Sequence, residues 1–240
     1  MNNPCPIFVT TSDKYLDTLR PLGWLLNKYW HPNPEVVICG FAEPTFDLPD
    51  NFRFVSVGNQ ADYPVNKWTD GLRAFLDVMR DEVFMLILED MWPTRGVDVR
   101  AVYILADYMR QFEYVARIDL TGDRLYAHGM KDYGAVEHID LIKSMPGSPY
   151  HLSLMPALWR RRHLLSVLRP GWSPWDVELQ GTTDLSHNQD VIVLGTRQWP
   201  YRNLLAHRSG DSGKLDLSQL SEADREALRE LGYLKPWEKE

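Results

Sequence analysis

Cysteine is scarce. The 240 residues contain two, Cys5 and Cys39, which excludes a multi-bridge disulfide framework and fits a reducing compartment. Cys39 ends the apolar run Val36-Val37-Ile38-Cys39, where a buried thiol is expected. No Gly-x-Gly-x-x-Gly and no Walker sequence occurs, so the familiar dinucleotide and ATP phosphate loops are disfavoured. No apolar run approaches the roughly 18 residues that a membrane span needs, and Met1-Asn2-Asn3-Pro4-Cys5-Pro6 lacks the basic segment and apolar core of a signal peptide. A cytoplasmic protein is expected. Positive charge is in deficit, 26 Lys and Arg against 33 Asp and Glu for a net charge of −7. That excludes a generally basic nucleic-acid sleeve while leaving room for a local basic patch. With no Gly/Ser/Pro-rich linker, internal repeat or low-complexity segment, a single enzyme-sized domain is expected.

What is present is an alternation of short apolar runs with periodic segments. Runs at 7–9, 35–39, 52–57 and 83–88 predict strands, and 14–29 and 68–80 predict helices. Leu16, Leu19, Leu22 and Leu26 give the first helix one apolar face, and Pro21 splits or kinks it. Val83-Phe84-Met85-Leu86-Ile87-Leu88 has no polar alternation, the pattern of a central strand covered on both faces. Further strands are expected at 114–120, 124–127, 138–142, 151–155 and 191–194, with helices at 157–168 and 175–180. Together they predict an α/β protein with a mixed, mostly parallel central sheet flanked by helices. Near the end, Ser221 and Asp224 resemble a capping box for a helix over 222–231, and Gly232 is a natural C-cap.

Four segments carry residue types suited to chemistry. The central strand ends in Glu89 and Asp90. Carboxyl ends of strands in a parallel α/β sheet open onto the ligand crevice, and hard carboxylates there suit Mg²⁺ or Mn²⁺ on a diphosphate; the alternative is that Asp90 caps a turn before Pro93. Thr10, Thr11, Ser12 and Asp13 follow the first strand as a cluster of small hydrogen-bonding groups fit for a base and ribose, although Ser12 or Asp13 serves equally as a helix N-cap. Gly58-Asn59-Gln60 repeats that pattern after the third strand. Between 148 and 182 the chain is rich in Trp, Pro and Arg. Trp172 and Trp175 beside Asp176 and Glu178 are what a sugar-binding acceptor site uses, with the rings stacking and a carboxylate taking a proton. Ser173-Pro174-Trp175-Asp176 is equally a helix start, with Ser173 as N-cap and Pro174 at the first position. Finally, His207 to Lys214 sets a histidine, Arg208 and Lys214 among glycines, a loop able to close over a diphosphate, with His207 completing a metal shell and the cations neutralising a leaving group.

In order and spacing over roughly 5–215, these segments resemble a nucleotide-sugar glycosyltransferase of the GT-A fold. The likeness rests on Thr10-Thr11-Ser12-Asp13, Leu88-Glu89-Asp90, Ser173-Pro174-Trp175-Asp176-Val177-Glu178 and the 207–214 loop, and is similar to small transferases of bacterial polysaccharide loci and bacteriophages. It implies a GT-A-like catalytic domain over 1–215, with a nucleotide-binding half to about 95 and an acceptor half beyond it, followed by a C-terminal helix and tail over 216–240. It implies a UDP-like donor near Thr11, Ser12 and Asp13, and Mn²⁺ or Mg²⁺ with the diphosphate near Asp90 and His207. Arg208 and Lys214 would share the leaving group's charge, and Trp172, Trp175, Asp176 and Glu178 would face the acceptor, Asp176 being the first choice of base. The usual acidic motif is Asp-x-Asp; here Glu89-Asp90 precedes Met91 and Trp92, so only Asp90 maps onto it. The implied acceptor is a glycan, or a hydroxymethylated base in phage DNA held by Arg160, Arg161, Arg162 and Arg169 as a phosphate track. The alternatives are a non-catalytic nucleotide- or carbohydrate-binding module, and a nucleotidyltransferase, for which an Arg-containing glycine loop after the first strand is missing.

Overall fold

A computed structural model of the protein describes residues 5–204, 206–207 and 214–234, the side chains at 206, 207 and 214 excepted. One sheet of nine strands runs through it in the order β3-β2-β1-β4-β8-β5-β9-β7-β6. β1 (Ile7–Thr10), β2 (Val36–Gly40), β3 (Phe52–Ser56) and β4 (Val83–Leu88) are mutually parallel. β8 (Ala157–Arg160) lies antiparallel between β4 and β5 (Val115–Asp119), β9 (Ile192–Thr196) is parallel to β5, and the hairpin of β6 (Met130–Val136) and β7 (Ile139–Ser144) closes the far edge. Only β7 and β8 therefore run against the other seven strands.

The central strands are buried on both faces, which is why their sequences do not alternate. Ile7 and Val9 face a core shared with α1 (Leu19–Tyr29) and α3 (Val99–Gln111), whereas Phe8 faces the core under α2 (Trp68–Val78). There it stacks on Phe84 at 4.5 Å and meets Phe75 edge-on at 5.1 Å. The expected first helix is split into a 3-10 segment, Asp13–Thr18, and α1. Pro21 falls in the first turn of α1, where a missing N–H costs nothing. The last helix, α7 (Glu222–Glu230), carries Leu228 into the same core as α1 and ends at Gly232, whose φ of 72° is the left-handed C-cap.

Several expected elements are corrected. The strand placed at 124–127 is a short helix, α4 (Asp123–Tyr126). The segment 151–155 is irregular, and the helix placed at 157–168 begins as β8 before turning into α5 (Arg161–Val167). Ala157, Leu158 and Trp159 form a short apolar run buried between two strands, which periodicity cannot tell from a buried helical turn. α3 and β6 were not expected. No helix among the described residues is long and apolar enough to cross a membrane.

Candidate functional site

β1 leads to β2 on one side and, by way of α2, β4 pairs with it on the other, so the strand order reverses at β1 and a crevice forms outside the carboxyl ends of these strands. Thr10 and Leu88 are register partners at that edge. A cavity of about 1080 Å³ opens there, lined by Thr10, Thr11 and Ser12 from the β1 end, Glu89 and Asp90 from the β4 end, and Trp175 and Glu178 from α6 (Pro174–His187). Three separate stretches of the sequence thus converge on one space.

The floor is built by backbone hydrogen bonds. Thr11 N–H donates to the Cys39 carbonyl at 2.9 Å. Gly40 admits the approach, since a Cβ there would lie 2.5 Å from the Phe54 ring and 3.1 Å from the Thr11 methyl. Thr10 Oγ1, beneath the cavity floor, is buried without a hydrogen-bond partner among the described residues. Asp13 does not line the cavity; its carboxylate accepts from Ala42 N–H at 2.9 Å and its own N–H donates to Gln60 Oε1 at 3.2 Å, so it ties the loops after β1, β2 and β3 together. Gln60 itself reaches the cavity, as do Lys14, Phe41, Tyr63 and Trp68.

Glu89 and Asp90 are 6% and 4% exposed. The turn that carries them is fixed by Trp92 Nε1 donating to the Glu89 carbonyl at 3.1 Å, Tyr201 OH donating to the Met91 carbonyl at 2.8 Å and Leu204 N–H donating to the Trp92 carbonyl at 2.7 Å. Segment 201–204 is therefore laid along the acid turn, and Asn203 and Leu204 line the same cavity as Asp90. It leads directly into β10 (Ala206–His207), which pairs with β11 (Lys214–Leu215). The side chains of His207 and Lys214, and Arg208 entirely, lie outside the described residues.

The α6 wall separates two carboxylates that lie two residues apart in sequence. Asp176 caps α6: its Oδ2 accepts from Ser173 N–H at 2.9 Å and Ser173 Oγ at 2.6 Å, while Ser173 Oγ accepts from Asp176 N–H. The Ser173 hydroxyl and then its N–H hold the Asp176 carboxyl below the usual range. Glu178 turns inward, its Oε1 accepting from Leu154 N–H at 2.8 Å. Burial pushes its pKa up, partly opposed by the Leu154 N–H and by Arg117. Arg117, fully buried, donates to Asp119 Oδ2 at 2.8 Å and to the Met155 carbonyl at 3.2 Å, so it and Glu178 grip adjacent residues of the cavity wall. Trp175 stands 59% exposed at the rim. Trp172 is instead bonded through its backbone to Thr69 and packs its ring into the core under α2. Ser173→Ala is accordingly expected to cost about 1 kcal/mol in denaturant melts, and Asp176→Asn to leave ligand-induced thermal shifts unchanged.

The expected arginine track is broken at two of its four members. Arg160 is buried and donates to the Met109 and Phe112 carbonyls, and Arg161 donates to the Leu76 and Met79 carbonyls. Arg162 pairs with Glu113, and Arg169 with Asp184. Arg160 and Arg161 thus fasten helices to the sheet, while Arg162 and Arg169 stay on the surface in exposed ion pairs.

Among the described residues lining the cavity, three carboxylates, Glu89, Asp90 and Glu178, stand against one cation, Lys14. No group of three or more His, Cys, Asp or Glu among the described residues is placed to hold a metal ion. Adjacent Glu89 and Asp90 fit an ion of the Mg²⁺ or Mn²⁺ type, which takes one or two carboxylates and completes its shell with waters and substrate phosphates; they do not fit an all-protein cage.

A solved structure of CMP:2-keto-3-deoxy-manno-octonic acid synthetase complexed with CTP is similar to this chain at 13% identity, over 80% of this chain and 89% of that one, with a TM-score of 0.43. No family model and no curated protein matches the chain.

Proposed function

We propose that the protein is a glycosyltransferase that takes a nucleoside diphosphate sugar, uridine being the first base to test, in the cavity at the ends of β1 and β4. The observation that carries this reading is the convergence, around one space, of the acid pair Glu89 and Asp90, the hydroxyl cluster at Thr10–Ser12 and the α6 wall bearing Trp175 and Glu178. Among the described residues the cavity is lined by three carboxylates and a single lysine, charges that repel an entering diphosphate on balance. Glu89 and Asp90 would hold a divalent cation, which when bound neutralises the diphosphate and stabilises the charge left on it as the sugar departs. The Thr11 and Ser12 hydroxyls, which line the cavity, offer hydrogen bonds to the donor. Trp175 stacks on the acceptor ring. Glu178 receives the proton of the acceptor hydroxyl as that oxygen bonds to the anomeric carbon and the bond from that carbon to the diphosphate oxygen breaks.

A thermal-shift titration with UDP and UDP-sugars, with and without Mn²⁺, tests the reading. At a hundredfold excess over Kd a ligand of the native state adds about 2.7 kcal/mol of stability. A Mn²⁺-dependent upward shift in the wild type that is lost in Asp90→Asn is expected. Equal shifts in the two proteins would remove Asp90 from the donor site, and no shift with any nucleoside diphosphate sugar would end the proposal.

A further inference from the structure

The described lining of the cavity is acidic, but the strand segment that leads into it at Asn203 brings together two arginines with no acid within 4.0 Å among the described residues. The antiparallel bridge between Pro93 and Asn203 lays Thr94 and Arg95 beside Arg202, with Thr94 N–H donating to the Arg202 carbonyl at 2.9 Å. Asn203 lines the cavity, so Arg202 stands one residue outside it. Ten other arginines reach an acid within 4.0 Å. Arg95 and Arg202, both exposed, have no such partner among the described residues, as is also true of Arg53, Arg73 and Arg80, which lie elsewhere.

Arg202 is also placed deliberately. Its guanidinium lies over the Trp199 ring, 4.4 Å from the centroid. Trp199 has a φ of 50°, a left-handed backbone that a bulky residue adopts only when its surroundings impose it. The ring rests on Gly122, where a Cβ would lie 2.4 Å from the indole carbons. Gly122 follows β5, whose carboxyl end is on the same sheet edge as that of β4. Beyond it, Tyr126, 74% exposed, meets Trp199 edge-on at 5.6 Å. Partial burial, and then the Arg202 charge, lower the pKa of Arg95; two like charges are thus kept together by the scaffold against their own repulsion.

We propose that Arg95 and Arg202 form an anion subsite beside the cavity, next to Asn203, that binds a carboxylate or phosphate carried by an acidic acceptor saccharide, with Tyr126 against a neighbouring sugar ring. This deepens the sugar-transfer reading and rests on it for the word acceptor. The division of charge suits such a substrate: the anionic group is held outside by the arginine pair while a neutral hydroxyl-bearing unit enters among the carboxylates. A nucleic acid fits less well, since its affinity grows with the number of phosphates neutralised, and of the four arginines at 160–162 and 169 two, Arg160 and Arg161, are spent on backbone carbonyls.

The test is affinity electrophoresis of the full chain through polygalacturonate, a phosphorylated mannan, neutral dextran and a single-stranded oligonucleotide. The wild type should be retarded by polygalacturonate, the phosphomannan or both, which separates carboxylate from phosphate, and not by dextran. The Arg95→Gln/Arg202→Gln double variant should bind at least about tenfold more weakly, the worth of one charge-assisted contact. Gly122→Ala, which keeps both charges and displaces Trp199, should weaken binding as well. Equal binding by wild type and double variant, binding to neither acidic glycan, or tighter binding of the oligonucleotide than of either glycan would overturn the proposal. UDP and Mn²⁺ thermal shifts on the same proteins keep the two ideas apart: shifts without glycan retardation sink the subsite alone, and retardation without shifts sinks the donor reading alone.

Discussion

Glu178→Gln is expected to slow sugar transfer by about 10²–10⁴-fold, the contribution of a positioned general base, while leaving UDP-dependent thermal shifts intact. The amide keeps the oxygen that accepts from Leu154 N–H, so the wall of the cavity is preserved. It also removes a carboxylate whose charged form burial disfavours, so the melting temperature of the variant should equal or exceed that of the wild type. The pH profile of the wild type follows from the same environment. A base works ionised, so activity rises as pH passes upward through its pKa. Because burial raises that pKa more than the Leu154 N–H and Arg117 lower it, the acid limb of kcat/KM should lie above the range of an ordinary glutamate. The charged groups that set it are Arg117 and Arg124, which stabilise the carboxylate, and Asp123, which opposes it. Single-turnover rates of wild type and Glu178→Gln across pH 4–8 check both statements. A variant that retains full rate, or one that loses UDP binding together with rate, would contradict the assignment.

How far this site is visible in the sequence depends on whether its signal is local. The run Val83 to Leu88 followed by two acids announces a central strand with carboxylates at its end, and the structure places both acids in the crevice. The Thr10–Ser12 cluster is visible for the same reason, being the end of the other strand at the switch point. By contrast, Asp176 and Glu178 look equivalent in sequence, two acids near the start of one helix. Their difference arises from where the helix docks: Asp176 faces back to Ser173, and Glu178 faces Leu154, 24 residues away in the chain. Phe41, Tyr63 and Trp68 reach the cavity only because loops after β2 and β3 fold over it, and nothing local marks them. The arginines at 160–162 mislead because charge is assumed to face water; three-residue burial of β8 draws Arg160 inside, where backbone carbonyls at the end of α3 accept its N–H groups. α3 was missed although its signal is local: Ala101, Val102, Leu105, Ala106 and Met109 repeat at helical spacing behind the Asp98 cap. The hairpin edge β6, mostly exposed and interrupted at Gly134, carries almost no apolar pattern to detect.

Removal of the Asp224 carboxylate should destabilise the protein more than any surface change. Asp224, on the first turn of α7, is buried, and its two oxygens take Lys28 Nζ at 2.5 Å, Tyr29 OH at 2.6 Å and Ser221 Oγ at 2.5 Å. The sequence reading of Asp224 as a capping partner of Ser221 therefore covers only part of its role; the same carboxylate fastens α7 to the end of α1. Deleting one member of such a buried set strands the others, and Asp224→Ala should cost about 3 kcal/mol, lowering Tm by about 10 °C for a chain of this size. The value sits at the lower end for buried pairs because Lys28 is 39% exposed and regains water when its partner is lost. Burial alone would raise the Asp224 pKa; the hydrogen bonds from Lys28, Ser221 and Tyr29, with the lysine charge, outweigh it and hold the carboxyl below its ordinary value. A carboxyl with a lowered folded-state pKa stabilises the fold fully above its unfolded value, roughly pH 4, and loses that contribution as pH falls through the lower folded value. The Tyr29 hydroxyl, pushed up to about 12 by burial and then by Asp224, stays protonated throughout this range. Urea melts of wild type and Asp224→Ala at pH 7, 4 and 2.5 should then show a gap that is constant between neutral pH and about pH 4 and narrows below it. A gap unchanged at pH 2.5 would mean that the carboxylate charge contributes nothing to docking α7, and that packing of Leu228 alone secures it.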